Sequence, residues 1–165
     1  MIIHQNPYFT INLKDDYYSI NFSTKQVLVL PILNNSHIIF INSIRPLFNH
    51  PILELPAGSV DKGESIEFAA LREFNEETGI QIKDTNRLKR MHSLNTIPSR
   101  TSQMLNIYKL HISHEEYIDR KDHDKEVAGI ISLSFKDVIE KINSGDIFVA
   151  TTIAVCLSHI MYDKL

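Results

Sequence analysis

The sequence predicts an α/β or α+β sandwich in which helices cover a mixed β-sheet. Runs rich in β-branched residues dominate the first part of the chain, and helical periodicity dominates the last part. The Gly and Pro residues mark turns, and we find no internal repeat, low-complexity tract or Gly/Ser linker. At 165 residues, with 43% hydrophobic and 22% charged residues, the chain has the size of one globular domain with a substantial core.

The predicted strands begin with an N-terminal β-hairpin. Residues 9–13 and 17–22 flank a Lys-Asp-Asp turn at 14–16. Two β-branched runs follow at residues 27–32 and 37–42, separated by the turn-forming Asn34-Asn35-Ser36. Further strands are predicted at residues 52–55, 88–93, 103–112 and 127–133.

Three helices are predicted from apolar periodicity, at residues 64–78, 134–143 and 150–161. Gly79 and Gly145 stand where the first two of these helices should end. The polar segment 114–125 has alternating charge and shows neither helical nor strand periodicity, so we expect it to be a mobile loop.

The first helix carries acidic residues on its apolar side. At about 100° per residue its apolar residues share one broad sector: Ile66, Ala69, Ala70 and Phe74. Glu73 and Glu77 fall within about 40° of that sector, and Glu76 lies at its edge. Glutamates at these spacings repel by about 0.2–0.5 kcal/mol per pair, oppose the helix dipole near the C-terminus, and lose hydration on burial.

A bound divalent cation would reverse all three of these unfavourable terms. An oxygen-only ligand set selects Mg²⁺ or Mn²⁺ over zinc, because no Cys or His at zinc-ligand spacing accompanies the glutamates. The alternative interpretation of the charge pattern alone is a solvated stripe of glutamates.

The spacing of these residues resembles the Nudix hydrolase signature. The segment reads Gly58-x5-Glu64-x7-Arg72-Glu73-Phe74-x-Glu76-Glu77-x-Gly79-Ile80 and matches every specified position. A chance match at a given register has a probability on the order of 10⁻⁸. The resemblance implies a loop–helix–loop on a Nudix-type α/β/α sandwich. It also implies Mg²⁺- or Mn²⁺-dependent hydrolysis of a nucleoside diphosphate linked to another group.

The same resemblance assigns roles within this segment. The expected metal ligands are carboxylates of the helix and one carbonyl of the preceding loop: Ala57, Glu73, Glu76 and Glu77. Arg72 is expected to orient the glutamates through an ion pair. Glu64 lies about half a turn around the helix from Glu73, so we expect it to act at the helix N-terminus.

Outside the signature, residues 44–58 and 124–154 resemble the ADP-ribose pyrophosphatase branch of the family. The resemblance places Arg45 and Glu54 on the substrate side. It gives the role of general base to an acidic loop, where Glu126 is our choice, although a register shift would transfer the role to Asp124 or to Glu115 or Glu116 in the preceding segment. Arg100 is expected either to bind a phosphate or to solvate its loop.

Two departures from that branch bear on the substrate. The region before Val27 is shorter than in many ADP-ribose hydrolases, and residues 96–102 differ from the branch's frequent Pro-Gly loop. We expect residues 1–26 to form a strand extension that makes a homodimer, and residues 27–165 to form the Nudix domain.

The expected reaction is Mg²⁺-dependent hydrolysis of ADP-ribose or a related nucleoside diphosphate sugar to a nucleoside monophosphate and a sugar phosphate. Two alternatives remain. One is a Nudix hydrolase for another phosphoanhydride, such as a nucleoside triphosphate or dinucleoside polyphosphate. The other is a non-catalytic module that binds nucleotide sugars.

Composition argues against several other classes of partner. With 17 Lys plus Arg against 20 Asp plus Glu, the net charge is −3 and the basic residues are scattered, so no nucleic-acid partner is expected. No apolar run approaches the ~20 residues of a membrane span, and the N-terminus has no secretory-signal pattern. The single Cys156 cannot form an intrachain disulfide, which favours a reducing cytoplasm.

Overall fold

The computed structural model describes residues 1–162, which form ten strands and four α-helices in this part of the chain. The strands are β1 (Ile2–Gln5), β2 (Phe9–Lys14), β3 (Tyr17–Phe22), β4 (Gln26–Leu33), β5 (His37–Ser43), β6 (Ile52–Glu54), β7 (Ala57–Ser59), β8 (Lys89–Arg90), β9 (Asn106–Ile112) and β10 (Val127–Ser134). The helices are α1 (Ile66–Thr78), α2 (His114–Ile118), α3 (Phe135–Ser144) and α4 (Ala150–Tyr162).

The main sheet is mixed and lies between two layers of helices. Its seven strands follow the order β10-β5-β4-β9-β8, with β6 paired to β5 and β7 paired to β4. Strands β4 and β9 run parallel, and the other pairs are antiparallel. One face packs against α1 through Ala69, Ala70 and Phe74, and the other packs against α3 and α4 through residues such as Val138 and Val155. The predicted α/β architecture is therefore confirmed.

Strands β4 and β5 lie at the centre because they are apolar on both faces. All residues of β4 after Gln26 are buried, as expected for a strand covered by helices on both sides. A tight turn joins the two strands, with Asn34 and Asn35 at φ angles of 50° and 57°. Asparagine tolerates this left-handed conformation, which suits the twist of a hairpin.

The N-terminal strands form a separate three-stranded sheet in the order β1-β2-β3. The predicted hairpin is present as β2 and β3, joined through Asp15 and Asp16 with positive φ angles, whereas β1 was not predicted. Backbone bonding links this sheet to the rest of the chain, because the Ile20 N–H donates to the Arg100 carbonyl at 2.7 Å. The sheet leaves several large apolar side chains exposed: Ile2, Ile3, Tyr8, Tyr17, Tyr18 and Phe22.

Capping residues set the ends of the helices. The Ser65 side chain accepts a hydrogen bond from the Phe68 N–H, so α1 begins two residues later than predicted. Gly79 and Gly145 end α1 and α3 in the left-handed conformation, as predicted. Among residues 1–162 we find no helix with the length and apolar character needed to cross a bilayer.

The prediction of a loop without regular structure at 114–125 is wrong for residues 114–118, which form α2. The Ser113 hydroxyl accepts from the Glu116 N–H while the Glu116 carboxylate accepts from the Ser113 N–H. This capping box stabilises a helix too short to show an apolar period. The predicted strand 88–93 is also shorter, because only Lys89 and Arg90 pair with β9 as a strand.

Candidate active site

The acidic face of α1 packs against strand β7. The Glu77 carboxylate accepts a hydrogen bond from the Ala57 N–H at 2.8 Å, and the Glu73 carboxylate accepts one from the Ser59 N–H at 3.1 Å. Gly58 lies between these two bonds, and a Cβ added there would come within 2.0 Å of the Glu73 carboxyl carbon. The glycine therefore leaves the space that lets the carboxylate lie directly against the strand.

Arg72 links the glutamates to the loop before the helix. Its guanidinium contacts the carboxylates of Glu64, Glu73 and Glu76 at 2.9, 2.9 and 3.2 Å. It also donates to the Ser59 carbonyl at 2.9 Å. The expected orienting contacts of Arg72 are therefore present in the geometry.

Glu64 does not cap the helix, because Ser65 does. The Glu64 carboxylate accepts from the Asp61 N–H at 3.0 Å and from two nitrogens of Arg72. The hydrogen bond from Arg72 is the main reason why the pKa of Glu64 lies below its ordinary value. Glu64 thus stabilises the guanidinium that holds Glu73 and Glu76.

Burial makes the charged glutamates unfavourable in the absence of a cation. Desolvation raises the pKa of Glu77 to about 8, and the nearby Glu73 charge adds to this effect. Desolvation also raises the pKa of Glu73, against the opposing effect of Arg72. Glu76 is more exposed, with 49% of its side-chain surface accessible. The partly buried pair Glu73 and Glu77 is therefore where an added positive charge would be most stabilising.

Arg45 and Glu54 lie next to this pair. They form an ion pair at 2.7 Å between the loop after β5 and strand β6. Both charges act on Glu77, since Arg45 lowers its pKa and Glu54 raises it. The structure therefore brings both predicted substrate-side residues to the buried end of the glutamate cluster.

The loop that follows α2 is fixed to the C-terminal end of α1 by backbone bonds. The Asp124 N–H donates to the Glu76 carbonyl at 2.9 Å, and the Lys121 N–H donates to the Gly79 carbonyl at 2.9 Å. Beyond them, the Glu126 carbonyl accepts from the Ile44 N–H at 2.8 Å. The backbone of Glu126 is therefore bonded to the loop that carries Arg45, two residues after Asp124, which is bonded to α1.

The other acids considered for general base are placed less favourably. Glu116 forms an ion pair with Arg87 at 2.5 Å, and Glu115 belongs to the same short helix. That ion pair occupies the Glu116 carboxylate, and both acids lie on α2, whereas Asp124 and Glu126 lie in the segment whose backbone is bonded to α1 and to the Arg45 loop.

Arg100 makes its contacts elsewhere. Its guanidinium carbon lies 5.3 Å from the centre of the Tyr17 ring, and its carbonyl accepts from the Ile20 N–H. Within residues 1–162 no ion pair joins Arg100 to the glutamates. The structure groups it with the N-terminal sheet.

The residues suit a hard divalent cation, although their present arrangement is not a coordination sphere. In the described residues, no three His, Cys, Asp or Glu side chains converge as metal ligands. The Glu73 carboxylate contacts Arg72 and the Ser59 N–H, and the Glu77 carboxylate accepts a hydrogen bond from the Ala57 N–H. The donor set is all oxygen, and the partly buried carboxyl groups of Glu73 and Glu77 accept hydrogen bonds from the residues on either side of Gly58, which matches the chemistry that Mg²⁺ or Mn²⁺ requires.

One supporting contact had no signal in the sequence. The buried Tyr108 hydroxyl of β9 donates to Glu67 of α1 at 2.7 Å. This hydrogen bond lowers the pKa of Glu67 and, together with desolvation, raises the pKa of Tyr108 to about 12. It fixes the rotation of α1 on the sheet.

Fold, loop–helix–loop and glutamate geometry together define a class of protein. The NUDIX domain family model matches residues 23–150, and the chain belongs to this family. Among solved structures, one described as "Crystal structure of ADP compounds hydrolase" superimposes with a TM-score of 0.72, covering 99% of this chain and 91% of that chain at 19% identity. The Nudix-type fold is thereby confirmed.

Curated relatives place the chain near ADP-ribose pyrophosphatases. It is 27% identical over 129 residues to the ADP-ribose pyrophosphatase of Bacillus subtilis (strain 168), covering 76% of this chain and 66% of that protein. The "Methanol dehydrogenase activator" of Bacillus methanolicus is 28% identical over 128 residues, covering 77% of this chain and 67% of the relative. The ADP-sugar pyrophosphatase of Mus musculus is 43% identical over 61 residues, covering 34% of this chain and 28% of that protein. The chain thus spans about two thirds or less of the length of these relatives.

Proposed function

We propose that this chain hydrolyses the diphosphate linkage of ADP-ribose or a related nucleoside diphosphate sugar in a Mg²⁺-dependent reaction. The observation that carries the proposal is the partly buried pair Glu73 and Glu77, held against the strand at Gly58 beside Arg45 and Glu54. The names of the pyrophosphatase relatives support the substrate class.

In this proposal the Ala57 carbonyl and the carboxylates of Glu73, Glu76 and Glu77 would hold the cation. Mg²⁺, with Mn²⁺ as a second possibility, supplies charge neutralisation of the diphosphate. Arg72 keeps the carboxylates of Glu73 and Glu76 in place through its contacts at 2.9 and 3.2 Å.

The remaining residues act on the substrate and the attacking water. Arg45 binds a phosphate oxygen, and Glu54 orients its guanidinium through the 2.7 Å ion pair. Arg100, which lies beside Tyr17 of the N-terminal sheet, is a further candidate in this proposal for a phosphate contact. Glu126 takes a proton from water as the water oxygen bonds to phosphorus and the bridging P–O bond breaks. ADP-ribose then gives AMP and ribose 5-phosphate.

A substrate panel tests the proposal. The full chain with Mg²⁺ is incubated with ADP-ribose, other nucleoside diphosphate sugars, nucleoside triphosphates and dinucleoside polyphosphates, and the products are separated by chromatography. We expect the highest kcat/KM for a nucleoside diphosphate sugar, with a nucleoside monophosphate as product. A higher kcat/KM for a nucleoside triphosphate would contradict the proposed substrate class. Binding without turnover, with an affinity that Glu77→Gln leaves unchanged, would indicate a non-catalytic module.

We also propose a homodimer in the cytoplasm. The sheet β1–β3 is too small to bury its own apolar face, and Tyr17 of β3 remains 51% exposed on it. In this proposal residues 1–26 form the dimerising extension and residues 27–165 form the catalytic domain. Cys156 is a buried free thiol, in keeping with a reducing compartment.

A further inference from the structure

A cavity of about 620 Å³ lies between helix α4 and the β8–β9 edge of the main sheet. This volume is within the range of about 300–1,000 Å³ that is typical of small-molecule sites. Its described lining contains none of the residues assigned to the candidate active site. The cavity therefore requires its own explanation.

Two lysines lie side by side in the wall of this cavity. Lys89 of β8 pairs directly with Lys109 of β9 in the antiparallel ladder, and both line the cavity. Directly opposed residues project from the same face of a sheet. Ile107, two residues before Lys109, packs in the core beneath α4, so both ammonium groups lie on the α4 side.

This pairing is unfavourable for a purely structural sheet. Like charges directly opposite one another destabilise an antiparallel pair, and an acid at either position would relieve the repulsion. Within residues 1–162 neither Lys89 nor Lys109 forms an ion pair, and the described lining of the cavity contains no Asp or Glu. Arg90, which also lines the cavity, acts on Glu67 of α1. Among the described residues, the lysines therefore give the cavity a positive charge that no acid of its described lining offsets.

The rest of the described wall combines apolar side chains with Arg90, two histidines, His92 and His159, and hydroxyl groups on one side. Met91, Leu94 and Val155 line the cavity and belong to the core beneath α4. Ser158 and Tyr162 also line it, and their spacing of four residues places them on one face of α4. A ligand that fits this wall needs an anionic group and an apolar body.

We propose that this cavity binds a small organic anion, with its phosphate or carboxylate group between Lys89 and Lys109 and its flat apolar body against Met91, Leu94 and Val155. An inorganic anion would leave the apolar wall uncovered, and a neutral apolar molecule would leave the lysines uncompensated. The proposal is independent of the hydrolase activity, because the two sites share no residue.

The test is a titration of the full chain with 1-anilinonaphthalene-8-sulfonate, an anionic dye with an aromatic body. EDTA is present, so that binding does not depend on a metal at the glutamates. We expect one dye per chain, bound with a micromolar Kd. Phenyl phosphate or benzoate should displace it at concentrations where inorganic phosphate does not, and the stronger of the two competitors identifies the preferred anionic group.

Two sets of variants locate the binding. The double variant Lys89→Met/Lys109→Met should weaken the dye at least tenfold, while the control Lys14→Met/Lys83→Met, with the same charge change on exposed residues, should bind as the wild type does. Ser158→Phe fills the cavity from an exposed position and should also abolish binding. This variant decides the question if the lysine variant does not fold.

Three results would overturn the proposal. The first is unchanged dye binding in a folded Lys89→Met/Lys109→Met or Ser158→Phe variant. The second is a loss of dye affinity in the Lys14→Met/Lys83→Met control equal to that in the Lys89→Met/Lys109→Met variant. The third is that inorganic phosphate displaces the dye as effectively as phenyl phosphate does.

Discussion

Replacing Gly58 with alanine should damage the active site far more than the fold. The added Cβ would lie 2.0 Å from the Glu73 carboxyl carbon, whereas ordinary van der Waals contact begins at 3.4 Å. The side chain of Glu73 can rotate away, so the backbone need not move. Rotation breaks the 3.1 Å bond from the Ser59 N–H and disturbs the 2.9 Å contact with Arg72.

The two consequences differ in size. Loss of one hydrogen bond to a charged group costs about 1.5–3 kcal/mol, but rotation also returns the Glu73 carboxylate to water, so we expect a net loss of about 1 kcal/mol in the free energy of unfolding. Displacement of a catalytic group by about 1 Å can cost roughly 10²-fold in rate. We therefore expect Gly58→Ala to lower kcat/KM at least about 100-fold and to weaken Mg²⁺ binding.

The assays are urea unfolding, Mg²⁺ titration by calorimetry and steady-state turnover of ADP-ribose. Gly129→Ala is the matched control, because its Cβ would meet Asn42 at an ordinary 3.9 Å. Wild-type turnover in Gly58→Ala would refute the placement of Glu73 against β7. A loss of activity no larger than the loss of folded protein would also refute it.

Three other predictions concern the base, an ion pair and assembly. Glu126→Gln should lower kcat about 10²–10⁴-fold with Mg²⁺ affinity unchanged. Pre-steady-state kinetics and pH–rate profiles are measured for Glu126→Gln and, in parallel, for Asp124→Asn. If only Asp124→Asn loses the acidic limb of the pH–rate profile, Asp124 and not Glu126 is the general base. Arg87 holds the pKa of Glu116 below 4.5 in the folded chain, so the pair stabilises above pH 4.5 and its contribution is lost as pH falls through the lowered pKa. Glu116→Gln should therefore cost about 1 kcal/mol in urea unfolding at pH 7 and almost nothing in strong acid, and a cost independent of pH would contradict the ion pair. Light scattering at micromolar concentration should give twice the chain mass, and a monomer would exclude a dimer built on β1–β3.

The parts of the fold that were predictable depend on local pattern. Strands β4 and β5 are apolar runs rich in Val, Ile and Leu joined by Asn34 and Asn35, and these residues determine both the strands and the turn. The parallel pairing of β4 with β9 joins segments far apart in the chain, and no local signal specifies it. The short α2 was missed although its capping residues are present, because five residues are too few for an apolar period to appear.

The same distinction applies to the candidate site. The grouping of Glu73, Glu76 and Glu77 follows from helical spacing alone. The contact between Glu64 and Arg72 depends on how the chain turns before α1, and the position of Glu126 depends on backbone bonds such as Asp124 N–H to the Glu76 carbonyl. Every residue except proline carries the same backbone donor and acceptor, so the sequence does not show which backbone groups will bond to each other.

The most direct test of a metal-dependent hydrolase at this site is Mg²⁺-dependent turnover of ADP-ribose by Glu77→Gln beside the wild type. Burial raises the pKa of Glu77 to about 8, so a neutral glutamine should leave the metal-free fold as stable as before or more stable. We predict wild-type turnover that chelation abolishes, and a folded Glu77→Gln chain whose kcat is lower by several orders of magnitude. Wild-type turnover in that variant, or turnover that survives exhaustive chelation, would contradict the account.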